Sequence, residues 1–453
     1  MSVTGSLAAA AGRAVHAVLH GVLRRDASQL PGRVCLAIDP QAVSHLRRKV
    51  QQGSVVVCGT NGKTTTTNLV AATLEASGKR VLCNRAGANM LAGVTSALLA
   101  RGKADWAVLE VDELSCAHVL PQLEPTYLVL LNLFRDQLDR TGEIDHVQDV
   151  LVESLASSPN TVLVVCGDDP LSWAVALRAK ESGTQVLSFG VRDGMDIVRD
   201  RVPEARFCQT CGEELTYASH AYAQLGDYRC PSCGFARPRL DFFATEVRVG
   251  ATGIRLTVTR DVFARPWQVA LRSSLSGAYM AYNLTAVAAI SQLVGIAEQS
   301  LQQVVEAVNP HNGRQERFVA KKRNVLLNLA KNPTGMNQNI ALLLGDQRQK
   351  AVFVVVNDNP NDGRDVSWIW DVDFELLAGR RDVGCVMCGG LRSHDLLVRL
   401  KYAGVGASFA NGVSDALNQT TMLPVDCVLY VLTNYSAIVP AEEELRRLAE
   451  SNE

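Results

Sequence analysis

Two groups of residues in this 453-residue chain could do chemistry by type and spacing alone. The first is Gly59-Thr60-Asn61-Gly62-Lys63-Thr64-Thr65, preceded by the apolar run Ser54–Cys58 and followed by the helix-compatible run Asn68–Ser77. A strand, a glycine loop and a helix N-terminus are what a phosphate site needs. Glycines let backbone N–H groups approach the oxygens, the helix dipole favours the anion, Lys63 can reach the terminal phosphates, and Thr64 offers a hydroxyl to Mg²⁺. The spacing departs from the common phosphate-loop formula, because Val57 stands where its first glycine would be. The blander reading is a strand-to-helix turn with an exposed lysine; the strand and helix around it favour nucleotide binding.

The second group is Cys208-Gln209-Thr210-Cys211 and Cys230-Pro231-Ser232-Cys233, with the eighteen residues 212–229 between them. That spacing falls in the zinc range for paired Cys-x-x-Cys knuckles. Gly212 and Gly234 follow the knuckles, as a tight thiolate turn requires. Four thiolates close a tetrahedral site and leave no position for water, so the expected role is structural. Four free thiols or two disulfides are the alternative. Cys385-Val386-Met387-Cys388 has no second knuckle and reads as two buried structural thiols. Cys35, Cys58, Cys83, Cys116, Cys166 and Cys427 read as small core residues, and no Cys–His nucleophile is evident.

Elements must hold these groups in place. Short β-rich runs at Ser54–Cys58, Arg80–Cys83, Trp106–Val111, Tyr127–Leu133, Thr161–Cys166 and Gln185–Phe189 alternate with helical patterns. This predicts parallel strands buried on both faces of an α/β sheet. The pattern breaks across residues 196–239, where cysteines and aromatics cluster, as in a small insertion. Alternation between Phe242 and Val269 predicts antiparallel strands, and Gly277–Val294 a helix. A second βα series follows, with strands at Val325–Leu329, Val352–Val356, Val383–Met387 and Val428–Leu432, which places a boundary near Arg314–Arg323.

Composition sets the frame. With 45 Lys+Arg against 46 Asp+Glu, no basic excess advertises nucleic acid and no acidic tail advertises a basic partner. The N-terminal apolar stretch is broken by Arg13, His16 and His20, so it reads as an amphipathic helix rather than a signal peptide. No run of 18 apolar residues suggests a membrane span, and the expected compartment is a reducing cytosol.

The phosphate loop resembles the ATP loop of the Mur ligase superfamily, and further matches follow in order. Glu110 in Leu109-Glu110-Val111-Asp112-Glu113 resembles the family's Mg²⁺-binding glutamate, which would share the ion with Thr64. Asn132–Asp139 resembles its Asn…Asp-His-x-Asp segment, with Gln137 in place of the histidine. Asn283 in Tyr282-Asn283-Leu284 resembles the adenine-side asparagine, and Asn312-Gly313-Arg314-Gln315-Glu316 the Gly-Arg-x-Glu before the last domain. Asn328–Pro333 resembles an Asp-Tyr-Ala-His-x-Pro segment, with Lys331 at the histidine. Each match alone has a plain reading: a strand-end carboxylate, a helix-interior amide, a linker charge. Their collinearity carries the resemblance. It implies a Mur ligase ATPase domain over 51–314, with Gly59, Thr60, Asn61, Gly62, Lys63, Thr64, Thr65, Asn283 and Arg314 on ATP and a zinc ribbon inserted at about 200–240. Residues 1–50 would be a helical segment packed on that domain, and 315–453 a smaller Rossmann-like α/β domain that binds a partner.

Only about 50 residues precede the loop, where a peptidoglycan Mur ligase carries a nucleotide-sugar domain. The ribbon and the segment Val366–Glu375 are extra, and Asn357–Trp368 follows a strand in the last domain. Together these resemble the MurT family, the Mur-ligase-like subunits of lipid II isoglutaminyl synthases, which pair with a GatD-type glutamine amidotransferase. The resemblance implies ATP, Mg²⁺ and Zn²⁺ as cofactors and amidation of the D-glutamate α-carboxylate of lipid II. It also implies that an aspartate of Asp362-Gly363-Arg364-Asp365 completes the partner's Cys–His pair; Asp365 is the first choice and Asp362 the second. The plainer reading of these aspartates is turn chemistry. Competing readings are a stand-alone ligase of the folylpolyglutamate or cyanophycin type, and a non-catalytic zinc-ribbon scaffold.

Overall fold

The computed structural model describes residues 3–21, 28–100, 102–135, 143–193, 195, 205–250, 252–261, 266–308, 314–360 and 362–450. Asp136, Gln137 and Asp139 of the altered acidic segment lie outside them, as do Asn312 and Gly313.

Nine strands form one mixed sheet. They are β1 (Val50–Cys58), β2 (Val81–Cys83), β3 (Ala104–Glu110), β4 (Tyr127–Leu130), β5 (Val162–Cys166), β6 (Val186–Val191), β9 (Phe242–Gly250), β10 (Gly253–Arg260) and β11 (Trp267–Ser273). Their order is β11-β10-β9-β6-β5-β4-β1-β3-β2. β1 runs parallel between β3 and β4. Its last five residues are buried, which is why the sequence there is a continuous apolar run rather than an alternation. Val55 and Val57 point into one core with Leu69 and Leu74 of helix Lys63–Ala76 and Tyr282 and Leu284 of helix Ala278–Leu293. Val56 and Cys58 point into the opposite core with Val94, Leu98, Leu120, Leu151 and Val175 from four further helices. Ala8 and Ala9 of the N-terminal helix Val3–Gly21 are buried in that second core. As expected from the alternation, β10 pairs antiparallel with both β9 and β11, while β9 joins the parallel part through β6.

Between β6 and β9 lies a separate antiparallel hairpin of β7 (Thr216–Tyr222) and β8 (Leu225–Arg229). The cysteine knuckles flank it.

The second sheet has order β12-β13-β17-β14-β15-β16, with β12 (Glu316–Ala320), β13 (Arg323–Leu329), β14 (Lys350–Val355), β15 (Val383–Gly389), β16 (Ser408–Phe409) and β17 (Val428–Thr433). All its pairings are parallel except β12–β13. Apolar cores cover both of its faces. The carboxyl ends of β1, β3 and β4 deliver the phosphate loop, Glu110 and Asn132 to one edge of the central sheet, where open α/β sheets hold their ligands.

Candidate functional site

Glycine is required twice in the loop. Gly59 has φ +125°, and a Cβ there would stand 2.9 Å from the Asn132 backbone. Gly62 has φ +91°, and its Cβ would collide with the Asn283 amide. The loop is pinned from β4. Thr60 N–H donates to Asn132 O (2.9 Å), Asn61 N–H donates to Asn132 Oδ1 (2.9 Å), and Asn132 Nδ2 donates back to Asn61 O (3.0 Å). The Thr60 hydroxyl donates to Phe134 O (3.2 Å) and accepts from Phe134 N–H (2.9 Å). Helix Lys63–Ala76 starts directly after Gly62, so its first N–H groups, which have no partner within a helix, face the loop's concavity.

Lys63 is buried; its ammonium donates to Gly59 O (2.5 Å) and lies 3.4 Å from the Glu113 carboxylate. Burial works against its charge, but Glu113, Glu110, Cys58 and Asp112 outweigh burial and hold its pKa above the ordinary value. Burial likewise pushes Glu113 up, and Lys63 and Lys331 bring it below the usual carboxylate value. Lys63 thus lies among three buried acidic side chains, Glu110, Asp112 and Glu113.

Thr64 and Glu110 converge on Gly87, whose missing Cβ leaves room 3.3 Å from the Thr64 hydroxyl and 3.5 Å from Glu110 Oε2. Glu110 Oε1 accepts from Asn89 (3.0 Å), whereas the buried Oε2 has no hydrogen-bond partner among the described residues. A buried orphan carboxylate oxygen beside a hydroxyl is what a hard divalent cation satisfies. Arg314 donates to the Thr64 hydroxyl (3.1 Å). Asn283 stands behind the loop under Gly62, with its Nδ2 3.7 Å from Met280 Sδ. The structure thus brings together Gly59 to Thr65, Glu110 and Arg314, and places Asn283 against the back of the loop.

Two cavities meet here. One is lined by the loop, Arg314, Tyr222, Tyr279 and Met280; the other by Asn89, Asp112, Glu113 and Phe134. Thr60, Lys63, Lys331 and Tyr435 line both. Lys331 sits beside the Tyr435 ring, 5.6 Å from its centroid. The second sheet is fastened to the loop by Asn332, whose Nδ2 donates to Asn61 Oδ1 (3.2 Å). Asp112, Glu113, Tyr435 and Gln315 carried no site signal in the sequence. Gln315, fully buried with φ +54°, donates its backbone N–H to Asn328 Oδ1 (3.1 Å) and its side chain to Ser276 O and the Tyr279 hydroxyl.

The cysteines form a second centre. The sulfurs of Cys208, Cys211, Cys230 and Cys233 lie within 4.8 Å of one another, with Cys208–Cys233 and Cys211–Cys230 at 3.5 Å. Thr210 N–H points at Cys208 Sγ and Ser232 N–H at Cys230 Sγ, both at 3.4 Å, as knuckle turns do around a thiolate. Gly212 and Gly234 take φ +76° and +80°. This donor set fits one tetrahedral thiophilic ion. Of the other thiols, Cys83 and Cys385 are half-buried rather than core, and the rest are buried. Burial pushes Cys385 and Cys388 up to about 11, which makes them poor nucleophiles.

The two aspartates of the later turn differ. Asp362 is buried and accepts from the Ser436 N–H (2.8 Å) and hydroxyl, at the start of helix Tyr435–Glu450. Asp365 is exposed and accepts from Ser367 N–H (2.8 Å).

The chain's likeness to known proteins runs along the same lines. A family model described as Mur ligase middle domain matches residues 57–291, and one described as MurT ligase C-terminal matches residues 329–438. Over 431 residues the chain is 32% identical to the protein named lipid II isoglutaminyl synthase (glutamine-hydrolyzing) subunit MurT of Staphylococcus aureus, covering 94% of each chain. It is also 32% identical over 453 residues to the protein of the same name in Streptococcus pneumoniae, covering 98% of each. Among solved structures, a pseudomurein peptide ligase type C from Methanothermus fervidus shares the fold, with TM-score 0.67 and 20% identity over 89% of this chain and 80% of that one.

Proposed function

The chain belongs to the Mur ligase family, in its MurT branch, and from that we propose that it is the ATP-dependent subunit of a glutamine-hydrolysing lipid II isoglutaminyl synthase. The observation that carries the reading is the 32% identity to the two MurT subunits, over 94% and 98% of the chain.

ATP would lie in the first cavity, with its phosphates on Gly59–Thr65 and Lys63. A carboxylate of the substrate would approach from the second cavity, across the boundary held by Lys63 and Lys331. A carboxylate is a poor acceptor for ammonia because oxide does not leave. Transfer of the γ-phosphoryl group to a carboxylate oxygen, with release of ADP, makes an acyl phosphate; ammonia then attacks the acyl carbon and phosphate leaves. Lys63 and Lys331 are placed to neutralise charge on the transferred group, and preorganised cations in a buried site are worth more than in water. Thr64 and Glu110 would hold Mg²⁺, which would supply positive charge to the phosphoryl transfer. Cys208, Cys211, Cys230 and Cys233 would hold a structural Zn²⁺. We assign residues 1–50 to a helical segment packed on the ATPase domain of 51–314, and 315–453 to the partner-binding domain. Asp365 is the residue offered to a GatD-type glutaminase, because Asp362 is engaged with Ser436. Among the described residues no helix is long and apolar enough to cross a membrane, which suits an enzyme working from the cytoplasm on a lipid-linked substrate.

The test is reconstitution with the glutaminase subunit. Lipid II, ATP and glutamine should yield amidated lipid II, and omitting the partner should abolish glutamine use but not use of high ammonium. Ligation of a free amino acid by the chain alone, without amidation of lipid II, would establish the stand-alone ligase reading instead.

A further inference from the structure

The structure assigns the cysteine ribbon a second role: its hairpin tip is part of the nucleotide site, and Tyr222 is the wall against which the base and ribose pack. This rests on the nucleotide reading of the first cavity. That cavity has two chemically distinct ends. The loop, Lys63 and Arg314 supply N–H groups and positive charge suited to phosphates, while Tyr222, Leu275, Tyr279 and Met280 supply an aromatic and apolar end suited to a flat base. Three of those four flank or belong to helix Ala278–Leu293; Tyr222 alone comes from the ribbon.

Tyr222 is held firmly. Its ring lies 6.1 Å from Phe134 and meets Tyr282 edge-on at 5.5 Å. It ends β7, and the two-residue turn Ala223-Gln224 returns to Leu225. Ala223 has φ +47°, a conformation that favours glycine, so the surroundings rather than the residue dictate this turn. Gln224 is fully buried, and its Nε2 donates to Leu133 O (2.9 Å) and Asp169 Oδ1 (3.1 Å). Leu133 precedes Phe134, which exchanges two hydrogen bonds with Thr60 of the phosphate loop. The tip thus touches the cavity through Tyr222 and braces the loop through Gln224. At the other end of the hairpin, Cys230 directly follows β8, so a metal held by the four cysteines would fix the base of the element whose tip forms the site.

The experiment uses the full chain with its partner subunit and measures binding of a non-hydrolysable ATP analogue and of inorganic tripolyphosphate by calorimetry. Tyr222→Ala should weaken the analogue about tenfold and leave tripolyphosphate within about twofold, because removing an aromatic face from a base typically costs that much. Tyr222→Phe, which keeps the ring, should bind the analogue far better than Tyr222→Ala. Stripping the metal with a chelator, at a temperature where the far-UV spectrum is unchanged, should weaken the analogue in the same direction. Unchanged analogue affinity in Tyr222→Ala and in stripped protein would overturn the inference, as would equal loss of both probes together with a lowered Tm. Failure of the unaltered protein to bind either probe would instead overturn the nucleotide reading.

Discussion

Lys63 and Glu113 each favour the charged form of the other, and each is the largest influence set against burial at its partner. Breaking a buried pair by removing one partner typically costs about 3–5 kcal/mol, because the other charge is left uncompensated. Lys63→Ala should therefore do two things. Amidation should fall on the order of a hundredfold or more through the lost phosphate contact. The pH dependence of stability should also change sign at Glu113. In the unaltered protein its pKa lies below the usual 4.5, so its contribution is present above that pH and fades on acidification through the lowered value. Without Lys63, burial dominates and the pKa rises, so the contribution falls as pH increases above about 4.5. Thermal melts across pH 3–7 would show this, and parallel curves for the two proteins would refute the coupling. Asp365→Asn makes the opposite kind of test. If Asp365 orients a partner histidine, glutamine-driven amidation should drop steeply while ammonium-driven amidation and partner binding persist; a comparable change in a serine-protease triad costs about 10⁴ in kcat. Equal loss in both assays would place Asp365 in the synthetase site. The sequence made the loop legible because its residues are contiguous. Glu113 and Lys331 become neighbours of Lys63 only through the fold, and Gln315 carries a left-handed backbone that no residue-type rule assigns to glutamine.

Asp168 shows how the elements are tied together. It follows β5, accepts from Val191 N–H (2.8 Å) and the Tyr282 hydroxyl (2.9 Å), and meets Arg237 of the ribbon at 3.5 Å. Burial raises its pKa from an ordinary 3.8 to about 7, against the opposing pull of Arg237 and the hydrogen bonds. A raised carboxyl pKa means the folded state holds the proton more tightly, so this contribution is full below pH 4 and is lost as pH rises towards 7. The span corresponds to about 4 kcal/mol. Asp168→Asn keeps an acceptor and removes the titration, so its Tm should vary less between pH 4 and 7; an unchanged slope would put the titration elsewhere. The ribbon itself should carry one zinc per chain, and Cys230→Ser should lower Tm markedly, since a structural zinc contributes folding energy directly. Zinc-free, fully stable protein prepared without chelator would contradict this. The knuckles were visible in the sequence through spacing. The β7–β8 hairpin between them was not, because Ala223-Gln224 is not a recognisable turn pair.

Across the chain, the alternation of apolar runs and helical patterns anticipated the α/β architecture, and the Mur ligase neighbours agree with it. The strands it missed have physical reasons. β12 pairs with β13 through Lys321-Lys322, both left-handed at φ 47° and 62°, a turn usually marked by glycine or asparagine. β16 is only two residues long. The two sheets meet at the loop through Asn332, which also caps helix Pro333–Gly345 by accepting from Gly335 N–H (2.8 Å), and through Arg135–Asp371 at 3.3 Å. Asn332→Ser keeps a helix cap but removes the donor to Asn61. It should cost little stability and raise KM for ATP several-fold; an unchanged KM would show that this fastening is incidental. The placement of the ribbon has one more outcome. Parallel neighbours β6 and β9 are joined by about fifty residues that contain the cysteine cluster, where such crossovers usually carry a helix. A metal clip that halves the effective length of that connection lowers its closure cost by only about 0.6 kcal/mol. The stabilisation expected of the ribbon would therefore come from the metal–thiolate bonds and not from the shortened connection. During synthesis β1 to β6 emerge first, the ribbon next, and β9 to β11 last, so a metal bound by the four cysteines would be captured before the sheet can be completed. A chain made while zinc is scarce would hold its parallel half early and leave the exposed edge of β6 waiting for its neighbour.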